Sequence, residues 1–314
     1  MRKTWAWVLG VTAAVVLVVS PTTAASASAP AKPPPPLVPS AGAAAFPVSV
    51  QSGDGTVSIP SRPDRILSLS ASATQMLYAM GAGSQVVGVD KYSAYPPNAP
   101  RTKFTGYESS AEDYLYLLPD LVIFAFETGT LVQQLRVLHI PALVLSPATG
   151  MPGVYSQLQE LGQATGHQSG ASEVESSLAG YLSRAAHRVG AAGRGKTYYI
   201  EVDPTYYTAT SHTFIGAEFS LFGMRDIADA AGHGSAYPQI SAEYILKENP
   251  DYVFLADTVC CHETAASFAG RPGFSVLSAV KLHHVVGVND SVASQWGPHT
   301  IEEFVRILVG VLRP

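Results

Sequence analysis

Residues 110–124 read SAEDYLYLLPDLVIF, and residues 241–255 read SAEYILKENPDYVFL. The second stretch repeats the first 131 positions later, in register: Ser110/Ser241, Ala111/Ala242, Glu112/Glu243, Leu115/Leu246, Pro119/Pro250, Asp120/Asp251 and Val122/Val253. Each copy reads as one helix-then-strand unit. Serine is a good N-cap, glutamate suits a first turn where the helix dipole favours negative charge, and Pro-Asp punctuates the turn into an apolar strand. This local grammar accounts for the serine, proline and aspartate. It favours the glutamate without requiring it.

Around the first copy the chain alternates strands and helices. FPVSVQSGDGTVSIP (46–60) reads as a β-hairpin turning at Gly-Asp-Gly, RILSLS (65–70) as a short apolar strand, and ATQMLYAMG (73–81) as a helix stopping at Gly81. VVGVD (86–90) is the next strand; after the repeated unit come helix LVQQLRVLHI (131–140) and strand ALVLS (142–146). A long amphipathic helix, ASEVESSLAGYLSRAAHRV (171–189), interrupts the pattern. The alternation then restarts with TYYIEVD (197–203), a helix around EFSLFGMRDIADAAG, the second copy, VVGVND (285–290) and a closing helix, IEEFVRILVGVL (301–312). The fold class is therefore α/β: two Rossmann-like lobes with mostly parallel sheets, joined by one long helix. The expected boundaries are 46–165 for the first lobe, 166–192 for the bridge and 193–314 for the second lobe.

The 314 residues, 47% apolar and 14% charged, suffice for a sizeable core. A net charge of −5 and the lack of a long basic run argue against nucleic acid as a partner. Arg2 and Lys3, the apolar run 5–20 and the small residues TTAASASA have the layout of a secretory signal peptide, with cleavage expected after Ala27. The alternative is an uncleaved anchor, although the run is slightly short of the ~20 residues of a membrane span. The only cysteines are Cys260 and Cys261, so the leader offers no site for lipid attachment. Residues 28–45, with their PPPP run, read as an extended Pro/Ala-rich spacer.

Three motifs carry little chemistry. GAAGRGKT (Gly190–Thr197) fits the phosphate-binding loop pattern, but such a loop needs a strand before it and a helix after it. Here the order is reversed, and nucleotide binding is not expected. Adjacent cysteines in a secreted chain can close a strained ring, pair between molecules or stay free; a vicinal disulfide is the expectation for Cys260–Cys261. The nine histidines form no ligand pair of H-x-H or H-E-x-x-H type, and no nucleophile elbow is present. No resident metal or cofactor is expected. A periplasmic enzyme on a similar scaffold would need a catalytic constellation that the sequence does not offer.

The aromatic residues are more telling. KYSAYPPNAP, TGY, FAFET, DPTYYTAT, SAYPQ and SQWGP all flank strands, most just beyond carboxyl ends, the edge where open α/β sheets bind ligands. Tyr92, Tyr95, Tyr107, Phe126, Tyr206, Tyr207, Tyr237 and Trp296 are the candidate lining of a cleft between the lobes. Lys91 and Arg225 are the candidate cations.

With RPDRILSLSASATQMLYAMG, VVGVDKYSAYPP, EDYLYLLPDLVI, YPQISAEYILKENPDYVFL and VVGVNDSVASQWGP in order, residues 46–314 resemble the substrate-binding proteins of ABC importers for vitamin B12, ferric siderophores and haem. The resemblance implies an extracytoplasmic, monomeric, non-enzymatic protein of two lobes on a rigid helix. It implies a metal chelate, corrinoid or ferric siderophore, held between the lobes and delivered to a permease with its ATPase. It places Tyr92, Tyr95 and Tyr237 against the ligand, and makes Glu112 and Glu243 the points that pair with permease arginines. The scarcity of cleft cations tilts the expectation toward a corrinoid or a neutral chelate. Gram-positive members are typically lipoproteins, and the missing leader cysteine departs from that pattern. It leaves a cell with a periplasm, a soluble protein or a retained leader.

Overall fold

The computed structural model describes residues 45–313 apart from 109, 127 and 128. The expected leader, and the spacer up to residue 44, lie outside the described residues. No helix among those described is long and apolar enough to cross a membrane.

The described residues open with an antiparallel hairpin, β1 (Val48–Ser52) and β2 (Gly55–Ile59), which buries Val50, Val57 and Ile59. The first lobe follows: β3 (Ile66–Leu69), α1 (Ala71–Ala79), β4 (Val86–Val89), a 3-10 helix (Ala111–Leu117), β5 (Leu121–Phe124), α2 (Thr130–Val137), β6 (Ala142–Val144) and α3 (Met151–Thr165). Helix α4 (Gln168–Val189) leads to the second lobe. That lobe comprises β7 (Thr197–Glu201), α5 (Phe214–Ser220), β8 (Arg225–Asp226), α6 (Ala242–Glu248), β9 (Tyr252–Leu255), α7 (Ala265–Ala269), α8 (Ser278–Lys281), β10 (Val285–Gly287), α9 (Asp290–Ser294) and α10 (Pro298–Leu312).

The two four-stranded sheets are parallel and share one topology, β4-β3-β5-β6 and β8-β7-β9-β10. Their central strands β3, β5 and β9 are buried at every residue, Ser68 of β3 included, as strands are when helices cover both faces.

The repeated unit occupies the same place in each lobe. Ser110 caps its helix by accepting from the Glu112 N–H, and Ser241 caps by accepting from Tyr244. Leu118 and Asn249 both end their helices in the left-handed region, at φ 47° and 46°. The Asp120 carboxylate then accepts the N–H groups of Asp64 (2.8 Å) and Arg65 (2.9 Å), while that of Asp251 accepts Thr197 N–H (2.9 Å) and its hydroxyl (3.1 Å). Each aspartate thus ties the start of its own strand to the start of the neighbouring central strand. The first copy differs in being wound as a 3-10 helix rather than an α-helix.

Helix α4 packs against α3 and α10, and α10 also reaches α1. One continuous apolar cluster runs from the hairpin through α1, α3, α4 and α10 into the second lobe, including Leu158, Leu178, Phe219 and Phe304. Gly190–Thr197 is the turn leaving α4 and entering β7, without the strand-loop-helix order of a phosphate loop.

Candidate functional site

The two lobes meet near the carboxyl edges of their sheets. The segment after β10 and α9 supplies the contact: the Trp296 N–H donates to the Ser72 hydroxyl (3.0 Å), its indole N–H to Gln157 Oε1 (2.7 Å), and Gln75 donates to Gln295 Oε1 (2.9 Å). Gln75 Oε1 accepts the Thr300 N–H (3.1 Å). Gly297 lies so close that a Cβ there would overlap the Gln75 amide.

On the first lobe, buried Asp90 accepts the Ser93 N–H (3.0 Å) and fixes the turn that carries exposed Tyr92, over whose ring Lys91 Nζ sits at 4.8 Å. Glu108 gathers the next turn, accepting from Thr105 N–H (2.7 Å), Gly106 N–H (3.0 Å) and the Tyr114 hydroxyl (2.7 Å). Burial pushes its pKa up, but the Tyr114 and backbone bonds prevail and lower it. The turn presents Tyr107, 68% exposed, against Phe126 with ring centroids 4.8 Å apart.

On the second lobe, residues 206–208 pair antiparallel with 238–240 through Thr208 N–H to Pro238 O (3.0 Å) and Ile240 N–H to Tyr206 O (3.1 Å). This pairing sets Tyr207 and Tyr237 on the rim, 43% and 51% exposed. Partial burial raises the Tyr237 pKa.

Several candidates are placed differently. Trp296 is part of the lobe seam, partly buried and hydrogen-bonded. Tyr95 stacks on His299 at 3.7 Å and lines a half-open 440 Å³ cavity with α1, α4 and α10, on the flank of the seam. Tyr206 packs over Phe274 (6.0 Å) and the Arg271 guanidinium (5.2 Å). Arg225 opens β8 opposite Thr197, at the amino edge of the sheet, and is no cleft cation. The cation that belongs near the carboxyl edge is Arg271, invisible to periodicity because it lies between two short helices. It grips Glu201 through two bonds (2.7 and 2.6 Å) and Glu263 (2.9 Å). Burial works against its charge, yet Glu201 and Glu263 raise its pKa. Beside them Asp257 is fully buried with both oxygens unpartnered, and burial, then the Glu201 charge, raise it to about 7.

Glu112 and Glu243 are both exposed in first turns, where the helices start from the carboxyl edge. The Glu243 carboxyl is lowered by its own N–H and the Ser241 hydroxyl. Where the sequence reading expects a vicinal disulfide, Cys260 and Cys261 are free and exposed. Their turn is shaped instead by the Asp290 carboxylate, which takes the Val259 and Cys260 N–H groups (2.9 and 2.7 Å). The Cys261 thiol, burial and Asp290 push Cys260 up to about 12. Among the described residues, no group of three or more His, Cys, Asp or Glu is placed to hold a metal ion.

The family described as periplasmic binding protein matches residues 66–292. The chain belongs to that family. It is 31% identical over 275 residues to a cobalamin-binding protein of Halobacterium salinarum, covering 84% of this chain and 74% of the relative. It is 29% identical over 268 residues to an uncharacterized ABC transporter substrate-binding lipoprotein, YvrC, of Bacillus subtilis, covering 82% and 83%. Among solved structures, the haem-binding protein HutB of Vibrio cholerae superposes with a TM-score of 0.71 at 21% identity, covering 81% of this chain and 100% of that one. The vitamin B12-binding protein BtuF of the same organism gives 0.63 at 23%, covering 80% and 97%. These structures share the family fold.

Proposed function

We propose that this chain is an extracytoplasmic substrate-binding protein that carries a corrinoid to an ABC importer and performs no chemistry on it. The observation that carries the reading is the pair of aromatic rims at the carboxyl edges, Tyr92, Tyr107 and Phe126 on one lobe and Tyr207 and Tyr237 on the other. Exposed flat rings, set on the first lobe by turns that Asp90 and Glu108 brace and on the second by backbone pairing, suit a broad, largely apolar macrocycle, which gains from ring contact and burial at little ordering cost. The cobalamin-binding relative supports the same ligand class. Electrostatics argue against a multiply charged anionic chelate, because Arg271 is already held by Glu201 and Glu263 and Lys91 is the remaining cation of the candidate lining. Glu112 and Glu243, one per lobe, suit orientation on a two-subunit permease with complementary charge.

Calorimetric titration with cyanocobalamin, a ferric siderophore and haemin tests the ligand. Saturable binding of cyanocobalamin is expected, weakened about tenfold or more by Tyr107→Ala or Tyr237→Ala. Heat from the siderophore or haemin alone would overturn the corrinoid assignment.

A further inference from the structure

The thiol pair goes beyond the transport reading and does not depend on which chelate the cleft takes. Cys260 and Cys261 are the only sulfhydryls of the chain, adjacent, free and exposed. They sit in the turn beyond the carboxyl end of β9, and that turn is closely held. The Asp257 carbonyl accepts the Cys261 N–H (3.2 Å) and the Glu263 N–H (3.4 Å) and lies 3.7 Å from Cys260 Sγ. Asp290 holds Val259 and Cys260 from the other side, and Thr258 donates to the Val288 carbonyl (2.9 Å). Two sequence-adjacent, exposed thiols thus sit on a braced backbone. Joining them directly would close a small ring around a planar peptide bond, which strains the disulfide geometry. Placing one atom between the sulfurs relaxes that ring.

The Asp290 carboxylate bonds the backbone of this turn, and its negative charge disfavours thiolates. A divalent cation, which binds thiolates, is therefore poorly matched. A trivalent arsenic oxide is well matched, because it takes neutral thiols. We propose that Cys260 and Cys261 form a dithiol site for a three-coordinate, thiophilic metalloid centre of the arsenous type. In the step, on a centre of the R–As=O form, two S–H bonds and the arsenic–oxygen bond break and two As–S bonds form. The arsenic-bound oxygen leaves with both protons as water, and arsenic stays trivalent, so nothing is oxidised or reduced.

Phenylarsine oxide is the probe. The full chain, treated with a phosphine reductant and desalted, is titrated while intact mass and titratable thiol are followed. The expected result is one phenylarsenic per chain, loss of both thiols together, release by the dithiol dimercaptopropanol, and resistance to an equal concentration of a monothiol. Cys260→Ser and Cys261→Ser should each abolish that resistance, and because both side chains are exposed the variants should keep the parent's thermal midpoint. No adduct on the reduced chain, an adduct that the monothiol strips, or full retention in either serine variant would each overturn the site.

Discussion

Asp120 and Asp251 do equivalent work in the two lobes. Each carboxylate accepts two hydrogen bonds from the segment that begins a neighbouring central strand. For Asp251 burial raises the pKa, but the Thr197 bonds and Lys196 prevail and lower it, so its stabilisation is present at neutral pH and is lost as pH falls through the carboxylate range. Asp120→Ala and Asp251→Ala should each cost about 1–3 kcal/mol in urea unfolding at neutral pH. The Asp251 cost should shrink toward about pH 3. Glu218 behaves oppositely. It is buried, both its oxygens lack partners, and it faces an apolar cavity of about 100 Å³ lined by Met151, Leu182, Phe214 and Val305. Burial raises its pKa well above the usual value. The unfolded chain therefore releases this proton first, and stability falls as pH rises from the usual carboxylate range toward the raised folded value. Glu218→Met should stabilise by about 1–3 kcal/mol near pH 8. In thermal melts the gain should fade toward about pH 4, and a gain independent of pH would mean the carboxyl is not the cause.

Helix α4 carries two glycines whose surroundings give opposite predictions. A Cβ at Gly170 would overlap the Met80 carbonyl, which is backbone and cannot yield without moving α4 away from the end of α1. A Cβ at Gly180 meets only the tip of Arg184, 3.1 Å away on a flexible side chain. Gly180→Ala should therefore stabilise by about 0.5–1 kcal/mol through helix propensity. Gly170→Ala should destabilise by about 1–3 kcal/mol despite the same propensity gain. Denaturant midpoints compare the two directly, and equal signs would remove the argument that α4 is seated through Gly170.

At the scale of the whole molecule, the lobes are joined by more than the bridge. The apolar cluster passes through α4 and α10, and the Trp296–Gln157 and Gln75–Gln295 bonds cross the seam. These contacts join the two lobes directly, beside the covalent link through α4. Under the proposed docking role, Glu112→Arg combined with Glu243→Arg should abolish uptake of labelled cobalamin into cells or permease-containing vesicles, with affinity for cobalamin in solution unchanged. A matching loss of affinity would assign the glutamates to the cleft or to folding.

Much of this was legible in the chain itself. The two copies of SAE…PD placed a helix, a turn and a buried strand in each half, because caps, left-handed stops and apolar runs are local in sequence. The exposed tyrosines of the rims were legible too, since strand ends announce the loops that follow. What periodicity could not supply was which side chains meet across long separations. Trp296 reads like Tyr107 in sequence, yet hydrogen bonds to Ser72 and Gln157 place it in the seam. Arg225 reads like a cleft cation, yet strand direction puts it at the opposite edge, and Arg271 takes the inner place because Glu201 from β7 and Glu263 after β9 converge on it. Local rules settle most elements, although the helix read around EFSLFGMRDIADAAG ends at Ser220 and strand β8, Arg225–Asp226, lies within that stretch. The packing of two parallel sheets against shared helices decides which groups become neighbours, and so which of them can serve a ligand.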